Sequence, residues 1–295
     1  MRIAVVGLGG VGGYIAAHLA KTSHEVVGFA RGEHLAKIKQ DGIKIVEDDG
    51  EWTSPLDARN IDEAYGVYDV VLFCVKSYDL VASYESIKGY INSNTIILSL
   101  SNGVNHGNEL RGMSDSKVLD GCVYILSHKD EPGVVHKKGK VFALVFGGLK
   151  DESIVLKSIL DETDLRVKIS DDIQTDIWKK YIFISAFATL TSYYDKSIGY
   201  IYEHYFEEAL EVLVEIASVA NVKGIDIFSE VKKSLNIAKT LPYDASTSMH
   251  LDFQNKSKDE LYTLTGYIVN EAKKYDLEVV KIKKMYDELL KKHVS

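Results

Sequence analysis

The sequence predicts an α/β amino-terminal domain followed by an all-α carboxyl-terminal domain. Two observations carry that expectation. Of the 22 glycines, 19 lie in residues 1–169, and only Gly199, Gly224 and Gly266 lie beyond them. Glycine punctuates turns between short elements, so the first half should alternate strands with helices and the second should hold long helices with few breaks. The second observation is a change of apolar spacing, from short β-branched runs to stripes at helical intervals. A chain of 295 residues is long enough for two domains of ordinary size. The boundary is expected near residue 168, giving domains over 1–168 and 169–295. No internal repeat or low-complexity linker interrupts either half.

Taken in order, Arg2–Val6 reads as a short strand, Val11–Lys21 as a helix and Glu25–Ala30 as a second strand. Asp69–Val75 is a continuous apolar run, the pattern of a parallel strand covered on both faces, and Thr95–Leu100 is another. Lys117–Ser127, Val134–Val135 and Val141–Phe146 follow, with turn chemistry at Glu131-Pro132-Gly133 and Lys138-Gly139. Their connections are too short for helical crossovers, so this group should be antiparallel. In the second half Asp171 is a candidate helix cap, and Ile173, Ile177, Ile184 and Phe187 form one helical stripe. Further helices are expected at about 200–221, 226–239, 246–254, 257–275 and 278–293, with Pro242 in a break.

Composition narrows the function. The net charge of −8 offers no basic excess to meet nucleic-acid phosphates. Cys74 and Cys122 sit in apolar runs and read as reduced core residues. The first residues turn to glycine too soon for a signal peptide, and no stretch offers the roughly 20 apolar residues of a membrane helix. The expected location is cytoplasmic, with a small-molecule ligand and neither a nucleic-acid nor a membrane partner. Apolar helix faces in the second half leave room for a homodimer.

Gly7-Leu8-Gly9-Gly10-Val11-Gly12 matches G-x-G-x-x-G directly after the first strand and opens the first helix, the context that makes this string informative. Gly7 permits the tight turn, Gly9 lets backbone approach a pyrophosphate, and Gly12 lets the helix pack against the strand. The helix N-terminus then presents N–H groups and partial positive charge to the phosphates. At the end of the second strand a carboxylate would bind the ribose hydroxyl of NAD, whereas an arginine accommodates the added phosphate of NADP. That position carries Arg31, so the expected cofactor is NADPH. Lys76 and Asn102 each follow a strand at its carboxyl end, where open α/β sheets take ligands. Either can also be bland: Lys76 a surface lysine, Asn102-Gly103 a turn dipeptide.

Lys180 falls on the apolar stripe, seven residues after Ile173 and four before Ile184. Its amine either snorkels to water or faces a cleft, where it can give a proton to a ketone oxygen. Ser257-Lys258-Asp259-Glu260 scores as a capping box with Glu260 at its third position. Asp252 and His250 read as surface groups. No spaced His, Cys and carboxylate cluster marks a metal site, and no Ser-His-Asp order stands out.

Together these residues resemble the ketopantoate reductase (2-dehydropantoate 2-reductase) family over essentially the whole chain. The resemblance rests on Gly7 to Gly12 with Arg31, Val75-Lys76-Ser77, Ser101-Asn102-Gly103, Gly147-Gly148, Ile177-Trp178-Lys179-Lys180, and Ser248-Met249 followed by Glu260. It implies a Rossmann-type first domain, a helical second one, and a reductase of 2-oxoacids. It further implies Lys180 as general acid, Glu260 as the carboxylate supporting it, and Asn102 and Ser248 as substrate ligands. Gly7, Leu8, Gly9, Gly10, Val11, Gly12, Arg31, Lys76 and Asn102 would hold NADPH. The family pattern places asparagines where this chain has Ile184, Ala188 and Ile198. Losing polar groups that hold a substrate hydroxyl weakens selection for ketopantoate. The competing readings are a reductase of a less polar 2-oxoacid, a noncatalytic NADP-binding sensor, and a hydroxyacid or polyol-phosphate dehydrogenase on a similar scaffold.

Overall fold

The computed structural model describes residues 1–293. The chain divides into two compact units. One comprises Met1–Ser101 with Asn105–Ile173; the other comprises Asn102–Val104 with the chain from Gln174 onward.

The strands of the first unit are β1 (Arg2–Val6), β2 (Glu25–Phe29), β3 (Ile43–Glu47), β4 (Gly50–Ser54), β5 (Asp57–Arg59), β6 (Val70–Phe73), β7 (Ile96–Ser99), β8 (Lys117–Lys129), β9 (Val134–Gly147) and β10 (Val167–Ile169). Its helices are α1 (Gly10–Leu19), α2 (Gly32–Asp41), α3 (Leu80–Ile87), α4 (His106–Met113) and α5 (Lys150–Leu160). The sheet order is β4-β3-β9-β8-β7-β6-β1-β2-β5, with β10 beside β9. From β5 through β8 neighbouring strands run parallel, whereas β8 and β9, and β3 and β4, pair antiparallel. This is the expected Rossmann-like arrangement with an antiparallel extension.

Alternation along β1 explains the layering. Ile3 and Val5 join one buried cluster with Val70, Leu72 and Leu98, while Ala4 and Val6 join another with Val71, Phe73 and Ile97. Helices cover both faces, so the central strands are apolar throughout.

Several elements depart from the sequence expectation. The run expected as two strands around Lys138-Gly139 is one strand, β9. Its register against β8 shifts between Ile125 and Leu126, which face Phe142 and Lys138. The extra residues, with Gly139 at φ +67°, form a bulge because β8 pairs on both sides of them. β8 and β9 are antiparallel to each other as expected, but β9 also runs parallel to β3 and β10. The β3–β4 hairpin was not foreseen, although Asp49-Gly50 and the alternating Ile43 and Ile45 were legible signals.

The second unit is helical: α6 (Ile173–Tyr194), α7 (Ile198–His204), α8 (Phe206–Val222), α9 (Phe228–Thr240), α10 (Ser248–Gln254), α11 (Tyr267–Lys274) and α12 (Val280–His293). The helix expected over 200–221 is broken at Tyr205, whose backbone leaves the helical region (φ −131°, ψ 35°). The capping box expected at Ser257–Glu260 does not form. Asp259 accepts the Leu261 N–H at 2.8 Å, Ser257 turns back to the Asp252 carbonyl, and Glu260 is buried. Helix starts only at Leu261, so Glu260 precedes it rather than lying in its first turn. A π-helical turn, Tyr262–Gly266, separates that start from α11. α6 satisfies its carbonyls: Tyr181 Oη donates to Thr263 and Leu264 at 2.9 and 2.8 Å, and Ser185 Oγ to Leu264 at 2.6 Å.

Candidate active site

In the first unit, parallel strands β2, β1, β6 and β7 end side by side, and chain order reverses between β1 and β6. Open α/β sheets take ligands beyond the carboxyl ends of strands at such a reversal. The segment after β1 is the glycine loop, and its three key glycines differ in what they meet. Gly7 has φ +94°, a conformation side chains resist. A Cβ on Gly12 would lie 1.9 Å from the Gly7 carbonyl oxygen, so this residue packs helix onto strand. A Cβ on Gly9 would meet nothing within 4 Å, which leaves the outer side of the loop open. No side chain caps α1, so its N-terminal donors are available to an anion. A pyrophosphate fits a cradle of this kind.

The other candidates of this unit lie on neighbouring segments. Arg31 caps the start of α2 and is exposed, with its guanidinium 3.6 Å from Asp79 Oδ2. Lys76 is half-buried and precedes a short turn at Ser77–Asp79. Ser101 Oγ donates to the Val75 carbonyl at 2.7 Å and ties the segment after β7 to the segment after β6. Cys74 lies on the latter as an unbridged cysteine, its thiol pushed up to about 12 by burial.

In the second unit, Lys180 Nζ donates to Asn102 Oδ1 at 3.1 Å. The half-buried amine therefore meets the side chain that follows the end of β7. On α6, Ile184 lies one turn beyond Lys180 and Ala188 two, half-buried and buried respectively. Thr191 continues the row and contacts Thr247 hydroxyl to hydroxyl at 2.9 Å. Thr247 caps α10 by accepting the His250 N–H, so exposed Ser248 begins that helix beside the far end of α6. Glu260 is 2 % exposed, a buried carboxylate after α10. Ile198 is buried at the start of α7.

His250 corrects the sequence reading. It is buried, with Nε2 2.8 Å from Asp195 Oδ1 and Nδ1 2.7 Å from Ser246 Oγ. Both partners precede it in sequence, Ser246 by four positions and Asp195 by 55, so no local pattern announced the bond to Asp195. The hydrogen bond from His250 holds the Asp195 carboxyl below its usual range. Among the described residues, no group of three or more His, Cys, Asp and Glu is arranged to hold a metal ion. Nor is any helix among them long and apolar enough to cross a membrane.

Comparison with known proteins extends these observations. The family "Ketopantoate reductase PanE/ApbA" matches residues 3–151, and its C-terminal counterpart matches residues 172–293. The chain is 29% identical over 297 residues to the uncharacterized oxidoreductase YkpB of Bacillus subtilis, covering 98% of each chain. A solved 2-dehydropantoate 2-reductase from Porphyromonas gingivalis W83 is 32% identical with a TM-score of 0.85, covering 98% of this chain and 99% of that one. A PanE/ApbA family ketopantoate reductase from Ralstonia eutropha JMP134 is 26% identical with a TM-score of 0.92, covering 99% and 98%.

Proposed function

The chain belongs to the ketopantoate reductase PanE/ApbA family of oxidoreductases, and from that premise we propose that it reduces the ketone of a 2-oxoacid with NADPH, nominally 2-dehydropantoate to pantoate. The observation that carries the reading is the bond from Lys180 Nζ to Asn102 Oδ1 at 3.1 Å. It joins the one lysine of the α6 stripe to a residue that follows β7 in the chain.

The roles follow from the chemistry of each group. The N–H groups of Leu8, Gly9, Gly10, Val11 and Gly12 hold the pyrophosphate, while Gly7, whose own N–H donates to the Phe29 carbonyl at 3.1 Å, makes the turn that presents them. Arg31 meets the 2′-phosphate, for which it must leave Asp79, and Lys76 and Asn102 are further cofactor contacts. A bound nicotinamide nucleotide supplies hydride to the ketone carbon. Lys180 holds a proton at Nζ and gives it to the ketone oxygen; Asn102 orients that amine by accepting from it. Glu260, a buried carboxylate, supports the lysine charge, and Ser248 offers its hydroxyl to the substrate.

Two turns of apolar surface beyond Lys180 favour a second reading within the same reaction class. Ile184 and Ala188 present no donor or acceptor to a substrate hydroxyl, which favours a 2-oxoacid with a less polar side chain. Following NADPH oxidation with 2-dehydropantoate and with a panel of aliphatic and aromatic 2-oxoacids separates the two. Turnover of the apolar acids alone assigns the second. Lys180→Ala should lower turnover roughly 10²- to 10⁴-fold, the usual contribution of a positioned acid. Unchanged turnover in that variant refutes the role given to Lys180.

A further inference from the structure

His34 lies in the first turn of α2, three residues after Arg31, and is 8 % exposed. Both ring nitrogens are engaged. Nε2 lies 2.7 Å from the Leu8 carbonyl oxygen, and the Gly133 N–H donates to Nδ1 at 2.8 Å. A carbonyl can only accept and an amide N–H can only donate, so the ring is neutral with its proton on Nε2. Its partners are 26 and 99 positions away. One side chain thus joins the glycine loop, the helix that Arg31 caps, and the turn between β8 and β9.

The bond to Leu8 has a consequence for the next residue. In a trans peptide the carbonyl of one residue and the N–H of the next lie in one plane and point in opposite directions within it. Holding the Leu8 oxygen against His34 therefore turns the Gly9 N–H the other way. That plane turns through ψ of Leu8 and φ of Gly9, and Gly9, without a side chain, accepts φ of either sign, so on its glycine side the loop leaves the orientation open. The turn is anchored as well: Gly133 has φ +81°, and its carbonyl accepts the Lys44 N–H at 2.9 Å.

We propose that His34 is a positioning residue for nucleotide binding, locking the Leu8–Gly9 peptide in the orientation that presents the Gly9 N–H to a pyrophosphate. This rests on the reading that the glycine loop takes NADPH. The ring works only when neutral, because protonated Nδ1 would be a donor facing the Gly133 donor. Burial holds the His34 pKa below its ordinary value, and the charge of Lys129 on β8 acts in the same direction, against the raising effect of the Leu8 bond. The other nearby cation, Lys37, whose stem lies beside Gly133, is paired with Asp41. The lock is therefore complete at neutral pH and opens only in more acidic medium than an ordinary histidine would require.

The test is titration of the whole protein with NADPH, followed by the fluorescence of the reduced nicotinamide, for wild type, His34→Leu and His34→Gln. His34→Leu should weaken binding roughly tenfold, the scale of one to two lost hydrogen bonds. His34→Gln keeps a donor and an acceptor on one group and should recover most of the affinity. Wild-type affinity should fall more steeply than that of His34→Gln as the medium is made progressively more acidic, a difference that a merely structural role would not produce. NADPH binding by His34→Leu equal to wild type overturns the proposal. Should His34→Leu fail to fold, parallel pH dependences of wild type and His34→Gln overturn it. A wild type that binds no nicotinamide nucleotide at all instead overturns the reductase reading, and this inference with it.

Discussion

Lys180 and Asn102 meet across 78 positions of sequence, and each is ambiguous until they do. Lys180 on an apolar stripe was legible as a costly placement, whereas Asn102 was equally a turn residue. Arg31 was legible from its place at the end of a strand, but its neighbour Asp79 was not. Arg31→Ala should reduce the preference for NADPH over NADH roughly 10- to 100-fold, the value of a charge-assisted hydrogen bond. The ratio of turnover with the two nucleotides measures it; an unchanged ratio removes Arg31 from the site. His18 is a second residue-scale case. It lies edge-on between Tyr14 and Trp52, with ring centroids 4.7 and 5.0 Å away, and burial pushes its pKa down to about 4. The unfolded chain takes up this proton near pH 6.5, the folded one only near pH 4. Stability from the neutral ring is thus present above pH 6.5 and lost as pH falls between those values. His18→Phe should flatten this part of the acid limb in thermal melts at stepped pH, and an unaltered slope would exclude His18 as its source.

At the scale of elements, α6 does two things at once. One row of side chains carries Lys180, which meets Asn102, followed by Ile184 and Ala188, while Tyr181, Ser185 and Thr189 hold the π-helical turn before α11. Ser185 Oγ and Tyr181 Oη serve the freed carbonyls, and Thr189 meets Thr265 hydroxyl to hydroxyl at 2.7 Å. Helical periodicity made α6 visible, but hydroxyls on a core-facing row gave no hint of what they bonded. The π turn also explains why the capping box failed, since the helix begins after Glu260 and the carboxylate goes inward. Tyr181→Phe should cost about 1–2 kcal/mol in chemical denaturation, the scale of a buried hydrogen bond lost. No loss would mean that Ser185 alone satisfies the turn. His250, bonded to Asp195 and Ser246, similarly ties α10 to the end of α6, a role hidden because its partners come from separate segments.

For the whole molecule, ligand binding and folding are linked. A nucleotide that binds only the folded state at 100 times its dissociation constant stabilises it by about 2.7 kcal/mol. NADPH should therefore raise the melting temperature of the chain, NADH should do so less at equal concentration, and absence of a shift with either would count against a nucleotide site. The sequence by itself determined the class of each half, the central strands, the glycine loop between β1 and α1 and most helices, because glycine punctuation and apolar periodicity are local properties of the chain. Only the tertiary structure decided that β9 is one bulged strand, that Glu260 is buried ahead of a π turn, that Lys180 finds Asn102, and that His34 and His250 bridge distant segments. Hydrogen bonds between residues tens of positions apart depend on which segments the fold brings within about 3 Å, and local sequence carries no record of that distance.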